Sequence, residues 1–149
     1  MTTAAPDAVT VAALQTALAT EHAAVWCYGL VTAFVPGDLA TQVAEAALAH
    51  RARRDATERV LADAGVTPVP AEPAYRTPWP VTDTASAVAL TVTAESDTAE
   101  AWRSVIERAG GPQLRSSALT ALVGAAVRAA RWRQTGGAPL LTVPFPGAP

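Results

Sequence analysis

Apolar side chains recur along the chain at intervals of three and four residues, and no segment alternates as a strand does. Four long segments with this spacing are rich in Ala and Leu, which favour helix. Pro-Gly, Gly-Gly and proline-rich stretches separate them. The pattern predicts helices at 8–35, 38–64, 83–109 and 112–135, followed by an apolar tail at 136–149.

The connection at 65–82 is the longest between two predicted helices. Residues 66–83 contain five prolines, which exclude a helix there. The predicted helices, at roughly 24–28 residues, would be about 36–42 Å long. An extended connection at about 3.3 Å per residue spans that length. The chain is therefore predicted to be one all-α domain over 1–149, a four-helix bundle with a long Pro-rich crossover between helices 2 and 3.

Three polar residues occupy the inward-facing apolar rows near the middle of their helices. Glu21 is the only formally charged residue of predicted helix 1, and His50 and Glu95 hold similar positions in helices 2 and 3. Because the midpoints of equal helices share one layer, these three side chains are expected to meet. A row of alanines in helix 4 would bring Arg128 toward the same layer.

Buried carboxylates without a counter-charge are costly, so a cation is expected beside them. Arg128 and Arg54 are the two candidates. Tyr28 lies seven residues after Glu21, and we interpret it as a core aromatic whose hydroxyl bonds a neighbour. The predicted central polar cluster therefore consists of Glu21, Tyr28, His50, Glu95 and Arg128, with no catalytic residue assigned.

Charge and cysteine content narrow the function classes. The net charge of −2 gives no basic excess for nucleic acid. The single cysteine, Cys27, excludes an internal disulfide and a CxxC metal site. The first ten residues lack the features of a signal peptide, so a cytoplasmic location is expected. No membrane partner is expected, because Glu21 and His22 would lie at the centre of the one apolar run long enough to span a bilayer.

Several motifs together resemble the ferritin-like superfamily, and more closely its family of unknown function from high-GC actinobacteria. The resemblance covers roughly residues 10–147 and rests on these stretches: LATEHAAVWCYG, AHRARRDA, PAYRTPWPVTD, RAARWR and FPG. It implies a four-helix bundle. In di-iron members, two helices each supply one Glu and the other two each supply Glu-x-x-His.

The metal ligands that this resemblance implies are only partly present. Glu21 and Glu95 match the two lone glutamates. Helix 2 has Ala47 and His50 where Glu-x-x-His is expected. In helix 4, the two residues that come nearest to the positions of Glu and His in this motif are Ala125 and Arg128. A dinuclear iron or manganese site needs several oxygen ligands and usually two imidazoles. A metal-free polar cluster is thus expected, and one ion held by Glu21, His50 and Glu95 is the alternative.

These observations lead to two functional hypotheses. The first is a non-catalytic, metal-free ferritin-like protein that acts as a binding or assembly module. The second is a metal-dependent oxidoreductase or iron-handling protein with a reduced iron or manganese site. A small-molecule binder that uses the central polar cluster is a third possibility, with its ligand unspecified. Because helix 1 is apolar nearly all round, a homodimer through helix 1 or the tail is also expected.

Overall fold

The computed structural model describes residues 5–149, and this part of the chain contains four long helices and no strand. These helices are α1 (Ala8–Val31), α2 (Ala40–Asp63), α3 (Thr84–Arg108) and α4 (Pro112–Thr135). The predicted all-α class with four helices is confirmed. Residues 1–4, part of the stretch used to argue against a signal peptide, lie outside the described range.

The helix ends follow local sequence signals, with two corrections. Predicted helix 1 ends at Val31 instead of residue 35, because Pro36 disfavours helical geometry in the residue before it. Asp38, the first residue of predicted helix 2, lies inside a 3-10 turn at Gly37–Leu39, and α2 starts at Ala40. Asp83 caps α3 through a reciprocal capping box with Ser86.

Hydrogen bonds between helices show their relative directions. The Thr10 hydroxyl, at the start of α1, donates to the Arg108 carbonyl oxygen at the end of α3 over 2.7 Å. Gln42, near the start of α2, lies 3.5 Å from Thr135 at the end of α4. Both pairs are therefore antiparallel. Short connections join α1 to α2 and α3 to α4, which makes those neighbours antiparallel as well.

Residues 64–83, which connect α2 to α3, cover one side of α1. Gln15 donates to the Thr67 carbonyl oxygen over 2.7 Å and accepts from the Val69 amide over 2.8 Å. The rings of Trp26 and Tyr75 lie 5.8 Å apart. This cover explains why Val9 is the only large apolar side chain of α1 that is exposed.

The apolar core divides into two clusters, one toward each end of the bundle. One contains Leu14, Leu18, Leu61, Trp102 and Val105. The other is built around Tyr28, Val31, Val43, Val88, Leu90 and Trp132. In each helix the two clusters are separated along the sequence by the polar positions near mid-helix. None of the helices within residues 5–149 has the length and apolar character that a bilayer span requires.

The C-terminal tail packs on α3 at Gly147. This residue has φ of 81°, and a Cβ atom there would lie 2.6 Å from the Ala99 carbonyl oxygen.

Gly147→Ala is expected to detach residues 142–149 from α3, and amide hydrogen exchange of those residues should rise. Gly137→Ala is a matched control, because Gly137 has φ of 71° with no atom near its added Cβ. If both variants leave the amide exchange of the tail unchanged, the contact between Gly147 and Ala99 is not what holds the tail on α3.

Candidate functional site

His50 joins two glutamates from neighbouring helices at the centre of the bundle. Its Nδ1 lies 2.7 Å from Glu21 Oε2, and its Nε2 lies 3.0 Å from Glu95 Oε1. None of the three residues is more than 1% exposed. Each residue comes from the middle of a different helix, so the equal helix lengths bring them to one level.

The ring of His50 is placed to carry a proton on both nitrogens. Only the imidazolium form can donate to two carboxylates at once. Burial by itself lowers the pKa of His50, but hydrogen bonds and charge from Glu21 and Glu95 outweigh it and raise the pKa to about 9. His50 is therefore a cation at neutral pH, bonded on both sides.

Glu95 Oε1 accepts three hydrogen bonds. Besides His50, it accepts from the Tyr28 hydroxyl over 2.6 Å and from Arg128 Nε over 2.9 Å. Burial raises the pKa of Glu95, but His50 and Arg128 together lower it below its usual value. The formal charges of two glutamates, one imidazolium and one guanidinium cancel, which makes a buried cluster of this kind tolerable.

Tyr28 connects the charged groups to the aromatic side chains. Its ring stacks on His50 with 5.4 Å between centroids, and its hydroxyl is bonded to Glu95. Burial and the negative charge of Glu95 raise the pKa of Tyr28 far above its ordinary value. The phenol therefore remains protonated and serves as a donor.

Two tryptophans complete the network and were not among the predicted site residues. Trp102 Nε1 donates to Glu21 Oε1 over 2.6 Å, and Trp132 Nε1 donates to the Tyr28 hydroxyl over 2.8 Å. A sequence signal exists for both. Trp102 follows Glu95 by seven residues and Trp132 follows Arg128 by four, which puts each on the same helix face as a cluster residue. A buried indole N–H also requires an acceptor.

All five predicted cluster residues lie in this single network, hereafter the charge network: Glu21, Tyr28, His50, Glu95 and Arg128, with Trp102 and Trp132 added. Arg54, the alternative cation, instead pairs with Asp55 over 2.8 Å at the surface. His22 lies outside the network, 3.0 Å from the Val69 carbonyl oxygen and 3.7 Å from Glu58.

The two positions at which the resemblance to di-iron proteins would lead us to expect further glutamates carry methyl groups. Ala47 and Ala125 are 6% and 0% exposed. Across residues 5–149, no three or more His, Cys, Asp or Glu side chains are grouped in a way that suits a metal ion.

One hydrogen-bond acceptor of the charge network has no donor. Glu95 Oε2 is the only buried side-chain nitrogen or oxygen in the described chain without a hydrogen-bond partner.

Comparison with known proteins gives a family and a structural relative. Residues 13–149 match the model of a domain of unknown function, DUF4439. The crystal structure of a conserved hypothetical protein, rv2844, from Mycobacterium tuberculosis is 42% identical, with a TM-score of 0.85 over 93% of this chain and 97% of that chain. No curated protein matches. The match over nearly the whole length shows that this chain belongs to the DUF4439 family.

Proposed function

We propose that this protein is a ferritin-like binding or assembly module in which the charge network stands where ferritin-like oxidases hold a di-iron centre. It carries out no redox chemistry of its own. The single observation that carries the proposal is the pairing of His50, whose two nitrogens are 2.7 and 3.0 Å from carboxylate oxygens.

The helix directions support the ferritin-like part of the proposal. Because α1 is antiparallel to both α2 and α3, these two helices run parallel to each other. Parallel neighbours in sequence need a connection as long as the bundle, and residues 64–83 lie along α1 over that course. One long crossover of this kind is the ferritin-like topology.

The donor set of the network does not fit a di-iron centre. An imidazole that bonds a metal must offer a lone pair, whereas His50 directs N–H groups to carboxylates on both sides. Arg128 brings a positive charge within 2.9 Å of Glu95 Oε1 and so neutralises a carboxylate that a metal would need as a ligand. Ala47 and Ala125 supply no ligand. The buried charge of two glutamates is thus balanced by side chains alone.

Metal analysis after refolding tests this proposal directly. Protein refolded with Fe²⁺, Mn²⁺ or Zn²⁺ and then dialysed is expected to retain far less than one equivalent of any of them. The unpartnered Glu95 Oε2 favours the second hypothesis, an iron-handling or oxidoreductase protein with one ion. Retention of one equivalent that is lost in Glu95→Gln would establish that hypothesis and overturn ours.

The assembly part of the proposal rests on exposed apolar side chains of α4 and the tail. Leu119, Val123 and Val127 recur every four residues on one face of α4 and are 46–53% exposed. Leu140 and Phe145 in the tail are 76% and 82% exposed. Contiguous exposed apolar surface marks protein interfaces, so we place a homodimer contact here and not on α1, which residues 64–83 cover.

Light scattering at micromolar concentration is expected to give twice the mass of one chain. Leu119→Lys combined with Leu140→Lys should give the mass of a single chain, because two charges would have to be buried in the interface. Val9→Lys is the control, because this exposed side chain lies at the start of α1, outside α4 and the tail. A single-chain mass for the natural protein would contradict the homodimer.

A further inference from the structure

A cavity of about 630 Å³ lies between α3, α4 and residues 142–149 of the tail. This volume is within the range of small-molecule sites, which is about 300–1,000 Å³. Its walls are chemically divided. The α4 and tail sides are apolar and include Leu122, Val127, Val143 and Phe145, whereas the α3 side is polar.

The polar side contains the one unsatisfied buried acceptor of the described chain. Glu95 belongs to the charge network and also to the lining of this cavity. Its Oε1 is fully used by three donors, while Oε2 has none. A buried carboxylate oxygen without a donor costs free energy. A group that brings an N–H to Oε2 would remove that cost.

Acidic groups outnumber basic ones in the lining. Asp97 and Glu100 lie on α3 beside Glu95, and Arg133 is the only basic residue of the lining. Arg133 already donates to the Leu141 carbonyl oxygen over 3.3 Å and lies 3.5 Å from the Ser96 hydroxyl. Burial and the charge of Glu100 raise the pKa of Asp97. The α3 residues that line the cavity include two further acids and no Lys, Arg or His.

We propose that this cavity binds a small amphipathic amine, with its apolar body against α4 and the tail and its ammonium group directed to Glu95 Oε2. The α3 carboxylates attract the cation, and the apolar walls select a hydrocarbon body. The inference goes beyond the proposed function, because it assigns a ligand class to a cavity beside the charge network. Val127 and Phe145 line this cavity and also belong to the proposed homodimer surface.

Three probes of equal chain length test the ammonium preference: hexylamine, hexan-1-ol and hexanoate. Calorimetry at neutral pH is expected to show binding of hexylamine about tenfold or more tighter than hexan-1-ol, since a hydrogen bond between charged groups exceeds a neutral one by that margin. Hexanoate should not bind up to millimolar concentration. Equal affinity for the three probes, or no binding of hexylamine, would overturn the proposal.

The location of the hexylamine site is tested by NMR chemical-shift mapping of the natural protein and of two matched variants. Ala126→Phe fills the proposed cavity without replacing a residue of the charge network and should abolish the hexylamine shifts. Ala62→Phe makes the same change at an exposed position near the end of α2, outside the lining of the cavity, and should leave them intact. Hexylamine shifts that persist in Ala126→Phe would refute the site even if Glu95→Gln cannot be folded. Metal content and mass are separate readouts, so failure here leaves the proposed function unaffected.

Discussion

Replacement of His50 with leucine is expected to lower the free energy of unfolding by about 3–5 kcal/mol, which is the cost of removing one partner from a buried ion cluster. The side chain is 0% exposed and bonds both Glu21 and Glu95, so two carboxylates lose their shared cation. Urea denaturation followed by the fluorescence of the four tryptophans would measure the change.

A second substitution separates the effect of charge from that of packing. Glu21→Gln combined with His50→Leu removes one negative and one positive charge, leaves the Glu95–Arg128 pair, and retains an acceptor for Trp102. The double variant is therefore expected to be more stable than His50→Leu alone. His22→Leu is the control, with an expected loss of about 1 kcal/mol. A double variant less stable than the single one would show that charge balance does not determine stability here.

The second large effect is a loss of stability between about pH 6.5 and pH 9. Because the folded-state pKa of His50 is about 9 and its ordinary value is 6.5, the folded protein binds the proton more tightly. The stabilisation is fully present below pH 6.5 and is lost as the pH rises through 9. The loss amounts to about 3 kcal/mol, from the shift in pKa. Urea denaturation at a series of pH values would measure it.

His50→Leu should show no such slope in that pH range. Cys27 needs a separate control, because burial and Asp97 raise the pKa of its thiol from 9.0 to about 11. The unfolded thiol then ionises first, so stability falls above pH 9, and Cys27→Ser removes this contribution. If natural protein keeps constant stability from pH 6.5 to 9, His50 is neutral and the charges of the network do not balance as described.

Much of the fold follows from local patterns that the sequence displays. The periodicity of apolar residues predicts four helices, which Pro36 and the proline-rich stretch help to separate. The capping box of Asp83 and Ser86 marks the start of α3. The end of α1 was predicted four residues late because apolar periodicity continues beyond Val31, whereas backbone geometry is limited by Pro36. The restriction that a proline places on the backbone extends over about one helical turn. It is easily overlooked when the apolar periodicity continues through that turn.

The charge network was partly predictable because mid-helix positions share a level. Whether Arg128 or Arg54 reaches the network depends on how α4 and α2 are rotated about their own axes. The three-to-four spacing of apolar residues defines that rotation only to within the width of one side chain. The Trp102 and Trp132 contacts depend on rotamers. The cavity was not predictable, since the tail reaches α3 through the close approach of Gly147, a contact between residues distant in sequence. The cytoplasmic location and the absence of a nucleic-acid partner stay predictions.

The position of the charge network between two apolar clusters has a consequence for helix alignment. Apolar rows made of alanine and leucine tolerate a slide of one helical turn, about 5.4 Å, because the next turn offers similar side chains. Hydrogen bonds of 2.6–3.0 Å do not tolerate it. A slide of α2 would withdraw His50, and a slide of α4 would withdraw Arg128, leaving a carboxylate buried without its cation. The network thus sets one register for four helices whose apolar faces alone would permit several.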